Sequence, residues 1–253
     1  MTASKVACGR AKGLLARDHR PVVRCTSYWR LLEREGTAME PDLVTSLARG
    51  LVITGRLSVD VPLFLRGHGC AGTAEHSALV AAESRRLAPI AGCDAGAAEA
   101  AGWLHDISAV FPASTRLDAA RQLGIVVLSE ESAAPMILHQ KLSAVLAREL
   151  FGVTDRDILD AIACHTTLRA GSTSLDRVVF VADKIAWDGV GEPPYLAALL
   201  SGLAHSVDHG ALAYLRFLWE RRDTLPVAHP AMVAAYTELS SDLEISDTSQ
   251  LDR

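Results

Sequence analysis

Residues 94–107 read DAGAAEAAGWLHDI, and this stretch decides the fold. Its Ala and Gly content predicts a helix from about Asp94 that permits close packing against a neighbour and carries Trp103 and Leu104 into an adjacent His105-Asp106 pair. Imidazole and carboxylate set into an apolar helix are costly to bury without a partner, and a shared metal ion is one partner that serves both. On a helix the two side chains point roughly 100° apart, yet both reach an ion lying over the gap between them.

Outward from this pair the pattern stays helical, with apolar residues at three- and four-residue intervals and little sustained alternation, so the chain reads as all-α. Upstream, Leu43, Leu47 and Leu51 mark a first helix. Pro62, Gly67, Gly69 and Gly72 then punctuate the approach to a second, which His76 opens and which runs through Leu79, Val80 and Leu87 to Pro89. Downstream, a turn-rich connection at 111–115 leads to a helix near 116–123, and the apolar run at 125–128 reads as a turn or a minor strand. A helix from near Pro135 places His139, Leu142, Leu146 and Leu150 on one stripe, and Gly152 ends it. Thr154 and Asp157 form a capping-box-like start for a helix that aligns Ile158, Ile162 and His165. Leu175, Val179 and Asp183 are spaced four apart in the next, which drops a carboxylate into an apolar stripe. Helices near 195–203, 211–222 and 230–239 complete the body.

The expected organisation is a basic, loosely held extension over 1–40, one helical domain over 41–240 with its core at about 60–200, and a frayed tail at 241–253. Residues 1–35 carry eight Lys or Arg against three Asp or Glu, which leaves the remainder acidic within a net charge of −5. An acidic body is a poor partner for nucleic acid, whose binding rests on many Lys and Arg contacts to phosphate. Met39, followed by Glu40-Pro41-Asp42, reads as an alternative natural start. The apolar fraction of 49% implies a sizeable core, while no run approaches the roughly 18 to 20 apolar residues that cross a bilayer. No membrane partner is therefore expected, and the cytoplasm is the expected compartment. Cys8, Cys25, Cys70, Cys93 and Cys164 are odd in number and lack a Cys-x-x-Cys spacing, so free thiols are expected.

Six side chains of metal-ligand type thus fall in apolar helical surroundings: His76, His105, Asp106, His139, His165 and Asp183. Singly, a histidine on an apolar face is more often a core residue bonded to a carbonyl. Together, an adjacent His-Asp pair and an inward Asp183 need too many separate explanations. Mixed imidazole and carboxylate ligation suits one or two divalent ions, with iron favoured and manganese, zinc or magnesium as alternatives.

The order His, His-Asp, His, His, Asp resembles the HD-domain phosphohydrolase superfamily. The stretches Ala74-Glu75-His76, Leu104-His105-Asp106-Ile107, Phe151-Gly152-Val153-Thr154-Asp155, His165-Thr166-Thr167 and Val181-Ala182-Asp183-Lys184-Ile185 resemble its YqeK-like branch. That resemblance implies a single HD-type helical bundle with a C-terminal helical extension. It makes His76, His105, Asp106 and Asp183 the basic ligands and His139 and His165 the pair supporting a second metal. It also implies a nucleotide substrate, with diadenosine tetraphosphate cleaved to two nucleoside diphosphates. Asp106 is then the carboxylate to bridge two ions, and His139 or His165 the group that stabilises developing charge or moves a proton.

Departures from the branch pattern fall on the substrate side. Thr73 stands where an Arg is common, Ser108 and Ala109 where a Lys is usual, and Ala186-Trp187-Asp188-Gly189 where an acidic-Pro-x-Arg run is usual. Lys141, Arg169, Arg177 and Lys184 are the cations available to compensate, Thr166 adds a hydroxyl, and Trp187 could stack on a base. Two alternatives stay open: another nucleotide, such as a deoxynucleoside triphosphate, monophosphate or cyclic dinucleotide, and a non-catalytic nucleotide-binding module. A homodimer is compatible with the pattern. His205, Asp208 and His209 read as a polar helix face, Cys164 as a small packing residue, and His19, His68 and His229 receive no role.

Overall fold

The computed structural model describes residues 41–187 and 189–251. The predicted extension over 1–40, with Cys8, Cys25 and His19, lies outside the described residues, as do Asp188 and the last two positions. Among the described residues there are helices and no strand; the run at 125–128 is a loop with an isolated bridge at Ile125.

Five helices carry the core. α1 (Pro41–Leu47) and α2 (Leu57–Gly67) lead into the long α3 (Ala71–Ala91), which packs along α4 (Ala95–Leu104). Short helices α5 (Arg116–Gln122) and α6 (Ser129–Ala133) bridge to α7 (His139–Phe151). Next come α8 (Arg156–Cys164) and α9 (Ser174–Ile185), and α3, α4, α7, α8 and α9 together surround the buried centre. α10 (Leu196–Leu203), α11 (Val207–Glu220) and α12 (Pro230–Leu251) form a C-terminal layer that reaches the core through α11 against α9. No helix among the described residues is long and apolar enough to cross a membrane.

Several boundaries differ from the sequence expectation: the first helix stops at Leu47, α6 was not anticipated, a 3-10 turn over Pro135–Leu138 precedes α7, and α11 starts at Val207. α2 was not anticipated, because Pro62 lies inside it and withholds one intrahelical hydrogen bond. Burial of Val61, Phe64 and Leu65 outweighs that loss, and buried Asp60 accepts bonds from Thr54 N, Gly55 N and Thr54 Oγ1 at 3.0, 3.0 and 2.7 Å. α3 starts five residues before His76 and passes Pro89 to end at left-handed Gly92, so His76 is an interior residue. α12 continues past residue 239 to Leu251.

Gly102 sets a close approach between α4 and α3. A Cβ there would stand 2.7 Å from Ala81 Cα and 2.9 Å from Val80 O, so only glycine lets α4 lie against α3 at this depth. The small-residue reading of 94–107 thus has a physical counterpart in the helix pair that carries His76 and His105.

Candidate metal centre

α3 supplies His76 from its interior, whereas three other candidates sit where helices begin or end. His105 is the residue at which α4 terminates, His139 opens α7, and His165 terminates α8. Asp106 does not continue the helix, as the sequence reading supposed. Its φ of −117° and ψ of 18° break away from α4 into a 3-10 turn over Ile107–Val110. That break aims the carboxylate away from the α4 face and toward α7 and α8. Asp183 lies in the last turns of α9, whose start is fixed by a reciprocal box. There Thr173 Oγ1 accepts from Asp176 N at 3.2 Å and Asp176 Oδ2 from Thr173 N at 2.8 Å. The anticipated cap of α8 is also shifted, since Asp155 rather than Thr154 accepts from Asp157 N at 2.9 Å.

All six side chains meet. His76 Nε2 lies 3.1 Å from Asp183 Oδ1 and 3.2 Å from His105 Nε2. His105 Nε2 lies 3.6 Å from Asp183 Oδ1 and 3.7 Å from Asp106 Oδ2. Asp106 Oδ1 lies 3.5 Å from His139 Nε2 and 3.6 Å from His165 Nε2, and those two nitrogens are 3.0 Å apart. His105, His165 and His76 are buried, while the side chains of His139 and Asp106 are 19% and 28% exposed, so the cluster opens at its His139 end.

The hydrogen bonding of the imidazoles decides what the cluster can hold. Each ring puts Nδ1 against a backbone carbonyl: His76 on Ala186 at 3.0 Å, His105 on Gly102 at 2.8 Å, His139 on Met136 at 2.5 Å and His165 on Ile162 at 2.8 Å. A carbonyl oxygen only accepts, so each Nδ1 carries the proton and the neutral ring turns a bare Nε2 lone pair inward. The inner atoms are then acceptors facing acceptors at hydrogen-bond distance, an arrangement that repels itself unless a cation or extra protons stand between them. Two ligands about 2.1 Å from one ion and at right angles to each other are about 3.0 Å apart, close to the spacings found here. Carbonyl-anchored imidazoles with Nε2 presented are also the usual support for a ligating histidine. The donor set fits a divalent cation, in two overlapping groups, His76 with His105 and Asp183, and His105 with Asp106 and His165.

Electrostatics points the same way. Burial would raise Asp106, but positive charge on the facing His105, His139 and His165 rings, when they are protonated, holds it down to about 2. Asp183 is likewise held well below the usual carboxylate range against its burial, chiefly by the Lys184 ammonium. Burial drives His165 well below the ordinary imidazole value and also lowers His139. Burial acts against the His105 cation too, yet Asp106 and Asp183 outweigh it and raise that ring. Two anions and mostly neutral rings are the protonation states that metal binding requires.

The substrate-side candidates separate. Thr166 Oγ1 is 2.9 Å from His139 Nε2, at the open end. Lys184 is buried, bonds Asp183 Oδ2 and the His165 carbonyl at 3.4 Å, and so braces two ligand positions from behind. Lys141 is buried elsewhere, paired with Glu131 at 2.7 Å. Arg169 is paired with Asp176 at 2.7 Å and Arg177 with Asp208 at 2.7 Å. These three cations are therefore committed to internal acids. Trp187 follows the end of α9 and is 45% exposed, edge-on to Tyr195 at 6.4 Å.

Sequence reading did not find the groups that tie the site together. Gln140 Oε1 accepts from Thr166 N at 3.1 Å and Thr167 N at 3.3 Å, locking the start of α7 to the segment after His165. Ser108 donates to the His139 carbonyl at 2.8 Å and accepts from Ser143 Oγ at 3.0 Å. Ser108, one of the pair Ser108-Ala109 that stands where the resembled branch usually carries a cation, therefore has a structural use. Leu168 adopts a φ of +55° although buried and branched, a strained conformation three residues after His165. Gln140, adjacent in sequence to His139, was the one of these with a visible signal.

Comparison with known proteins gives the same region. The HD domain family model matches residues 73–188. An uncharacterized protein in the pepC 5′ region of Lactococcus lactis subsp. cremoris is 46% identical over 143 residues, covering 56% of this chain and 72% of that protein. The symmetrical bis(5′-nucleosyl)-tetraphosphatase of Bacillus subtilis is 36% identical over 117 residues, which are 44% of this chain and only 61% of the relative's length. Among solved structures, a predicted HD superfamily hydrolase involved in NAD metabolism from Clostridium acetobutylicum superposes with a TM-score of 0.66 at 23% identity. That superposition covers 76% of this chain and 100% of that one, a likeness of fold.

Proposed function

The chain belongs to the HD-domain family of hydrolases, and from that premise we propose that it is a metal-dependent phosphohydrolase of nucleotides, with a dinucleoside polyphosphate such as diadenosine tetraphosphate as substrate and two molecules of ADP as products. The observation that carries the metal is the inward ring of bare Nε2 and carboxylate acceptors at 3.0 to 3.7 Å. What favours this substrate class is the name of the Bacillus relative. His76, His105, Asp106 and Asp183 would hold one ion, and His139 with His165 and Asp106 a second. Iron or manganese suits this imidazole and carboxylate set. A divalent cation bound there supplies Lewis acidity toward a phosphoryl oxygen and toward water.

The protein's own residues do the rest. Lys184 takes Asp183 Oδ2, which leaves Oδ1 as the single inward oxygen. Gln140 and Ser108 hold His139 at fixed distance from His165 and Asp106. His139, the most exposed of the four rings, meets the substrate first, with Thr166 Oγ1 beside its Nε2. In hydrolysis the water oxygen joins phosphorus as the bridging P–O bond breaks, the leaving nucleotide departs as a phosphate anion, and the water proton passes out through the His139 end. A cytoplasmic location is part of the same reading, supported by Cys70, Cys93 and Cys164 standing as free thiols.

The test is metal analysis of the purified protein followed by product analysis over diadenosine tetraphosphate, deoxynucleoside triphosphates, nucleoside monophosphates and cyclic dinucleotides. ADP released from diadenosine tetraphosphate, abolished by chelation and restored by iron or manganese, is the expected result. Fully metal-loaded protein that turns over none of these compounds would refute the catalytic reading and leave a binding module.

A further inference from the structure

The cations Lys141, Arg169, Arg177 and Lys184 are each paired with an acid of the fold. Arg116, at the first residue of α5, is different. Its guanidinium donates to two carbonyls, Nε to Phe111 O at 3.3 Å and Nη1 to Met136 O at 3.4 Å. Among the described residues no carboxylate stands within ion-pair distance of it. Its positive charge is therefore anchored in position without a carboxylate partner among the described residues, which leaves it available to an anion.

The position of that charge is set by Met136. The same carbonyl oxygen that receives Arg116 Nη1 also receives His139 Nδ1, so no more than two hydrogen-bond lengths separate the guanidinium from the His139 ring. His139 is the exposed end of the cluster, and the Arg116 guanidinium is held beside it through the shared Met136 carbonyl. Beside it, Ala134, Pro135, Met136, Ile137, Pro226 and Val227 line an apolar recess of about 360 Å³, with Met136 67% exposed. A fixed, unneutralised guanidinium next to an apolar recess matches a phosphate followed by a nucleoside.

We propose that Arg116 is a substrate-contacting residue that binds a non-scissile phosphate of the nucleotide, and that the recess behind Met136 receives the attached nucleoside. This rests on the phosphohydrolase reading for what happens next to the His139 end, but anion binding at Arg116 stands apart from turnover. The arrangement also suits a chain that has Thr73, the pair Ser108-Ala109 and Gly189 where the resembled branch pattern carries cations. Arg116, at the start of α5, places a positive charge beside the His139 end by another route.

Three proteins suffice for the test: wild type, Arg116→Gln, which keeps a donor for the Met136 carbonyl while removing the charge, and Arg116→Lys. Metal content and thermal unfolding are measured first, and neither is expected to change in Arg116→Gln. Inorganic pyrophosphate is then titrated into each metal-loaded protein by calorimetry, and kcat and KM are measured with diadenosine tetraphosphate. Binding of pyrophosphate should weaken about tenfold or more in Arg116→Gln, with partial recovery in Arg116→Lys and a weaker salt dependence in Arg116→Gln than in wild type. KM should rise by a similar factor while kcat falls less. Unchanged pyrophosphate affinity and KM in Arg116→Gln would overturn the assignment even if wild type is an active hydrolase. Should wild type turn over no nucleotide yet lose pyrophosphate affinity on Arg116→Gln, the anion subsite stands and the hydrolase reading falls.

Discussion

Two buried clusters of this protein pair imidazole with carboxylate, and they differ in one respect. In the first, Glu131 accepts from Lys141 at 2.7 Å and from the Leu128 amide at 2.9 Å, and it faces His229 Nε2 at 3.3 Å. Lys141 also caps the Val126 carbonyl at 3.0 Å, and the Ala231 amide donates to His229 Nδ1 at 3.2 Å. Every group there has a partner of opposite character, so the cluster ties α6, α7 and the start of α12 into the fold and asks for nothing more. In the second, the four inward Nε2 atoms and the oxygens of Asp106 and Asp183 face one another as acceptors, with Lys184 reaching only Asp183 Oδ2. A buried ionic cluster that contains its own cation is architecture, whereas one that lacks it is a site.

The comparison can be broken most sharply at Asp106. Asp106→Ala removes the one residue that approaches His105, His139 and His165, and hydrolysis should drop to the level of metal-free protein with most of the bound metal lost. Full metal content by mass spectrometry would show that the carboxylate is dispensable. The corresponding change in the other cluster, Lys141→Met, leaves Glu131 buried and lacking its cation. Unfolding in urea should report a loss of about 3–5 kcal/mol, while metal per folded molecule stays at the wild-type value. Parallel loss of metal there would erase the distinction between the two clusters.

Smaller perturbations sharpen it. Gly102→Ala forces α4 away from α3 and should cost about 1–3 kcal/mol. Because His76 and His105 ride on those two helices, metal affinity should fall with it, and a stable variant with wild-type affinity would show that the close approach has no bearing on the site. Gln140→Ala frees the segment after His165 from α7, leaves the Thr166 and Thr167 amides without their acceptor at a cost of about 1–3 kcal/mol, and should weaken metal binding by roughly 10–100-fold.

The smallest effect is on pH dependence of the metal-free protein. His165 and His139 have lowered values in the fold, so below the ordinary imidazole value the unfolded chain binds protons that the folded one refuses, and stability falls on acidification. His105 is raised, and its contribution is present below 6.5 and lost as pH climbs through its higher folded value. Asp106 contributes above its unfolded value near 3.8 and loses that contribution only as pH falls through about 2. A thermal midpoint of chelated protein that declines from pH 6.5 toward 4 is expected, and a flat profile would contradict neutral buried rings.

Much of this was legible before any coordinates. Helical periodicity gives α8, α9 and α10 close to their observed places and the end of α7, because their apolar stripes are strong and Gly152 stops α7 where it appears in the chain. α2 was hidden by Pro62, whose local cost is overridden by burial that one-dimensional pattern does not reveal. Asp106 was read as helical because nothing in DAGAAEAAGWLHDI announces a break after His105. The substrate cations were least legible of all. Which acid a Lys or Arg will meet depends on contacts such as Lys141 with Glu131 or Arg169 with Asp176, and a cation looks equally available in sequence whether it is spent or free. Arg116 passed unnoticed for the same reason.

Crystals of protein purified without added metal, measured at the absorption edge of the element found in it, test the central claim most directly. The account predicts an anomalous peak at roughly 2.0–2.3 Å from His76 Nε2, His105 Nε2 and Asp183 Oδ1. A well-ordered cluster with no peak, or a peak elsewhere such as beside His205 and His209, would contradict it.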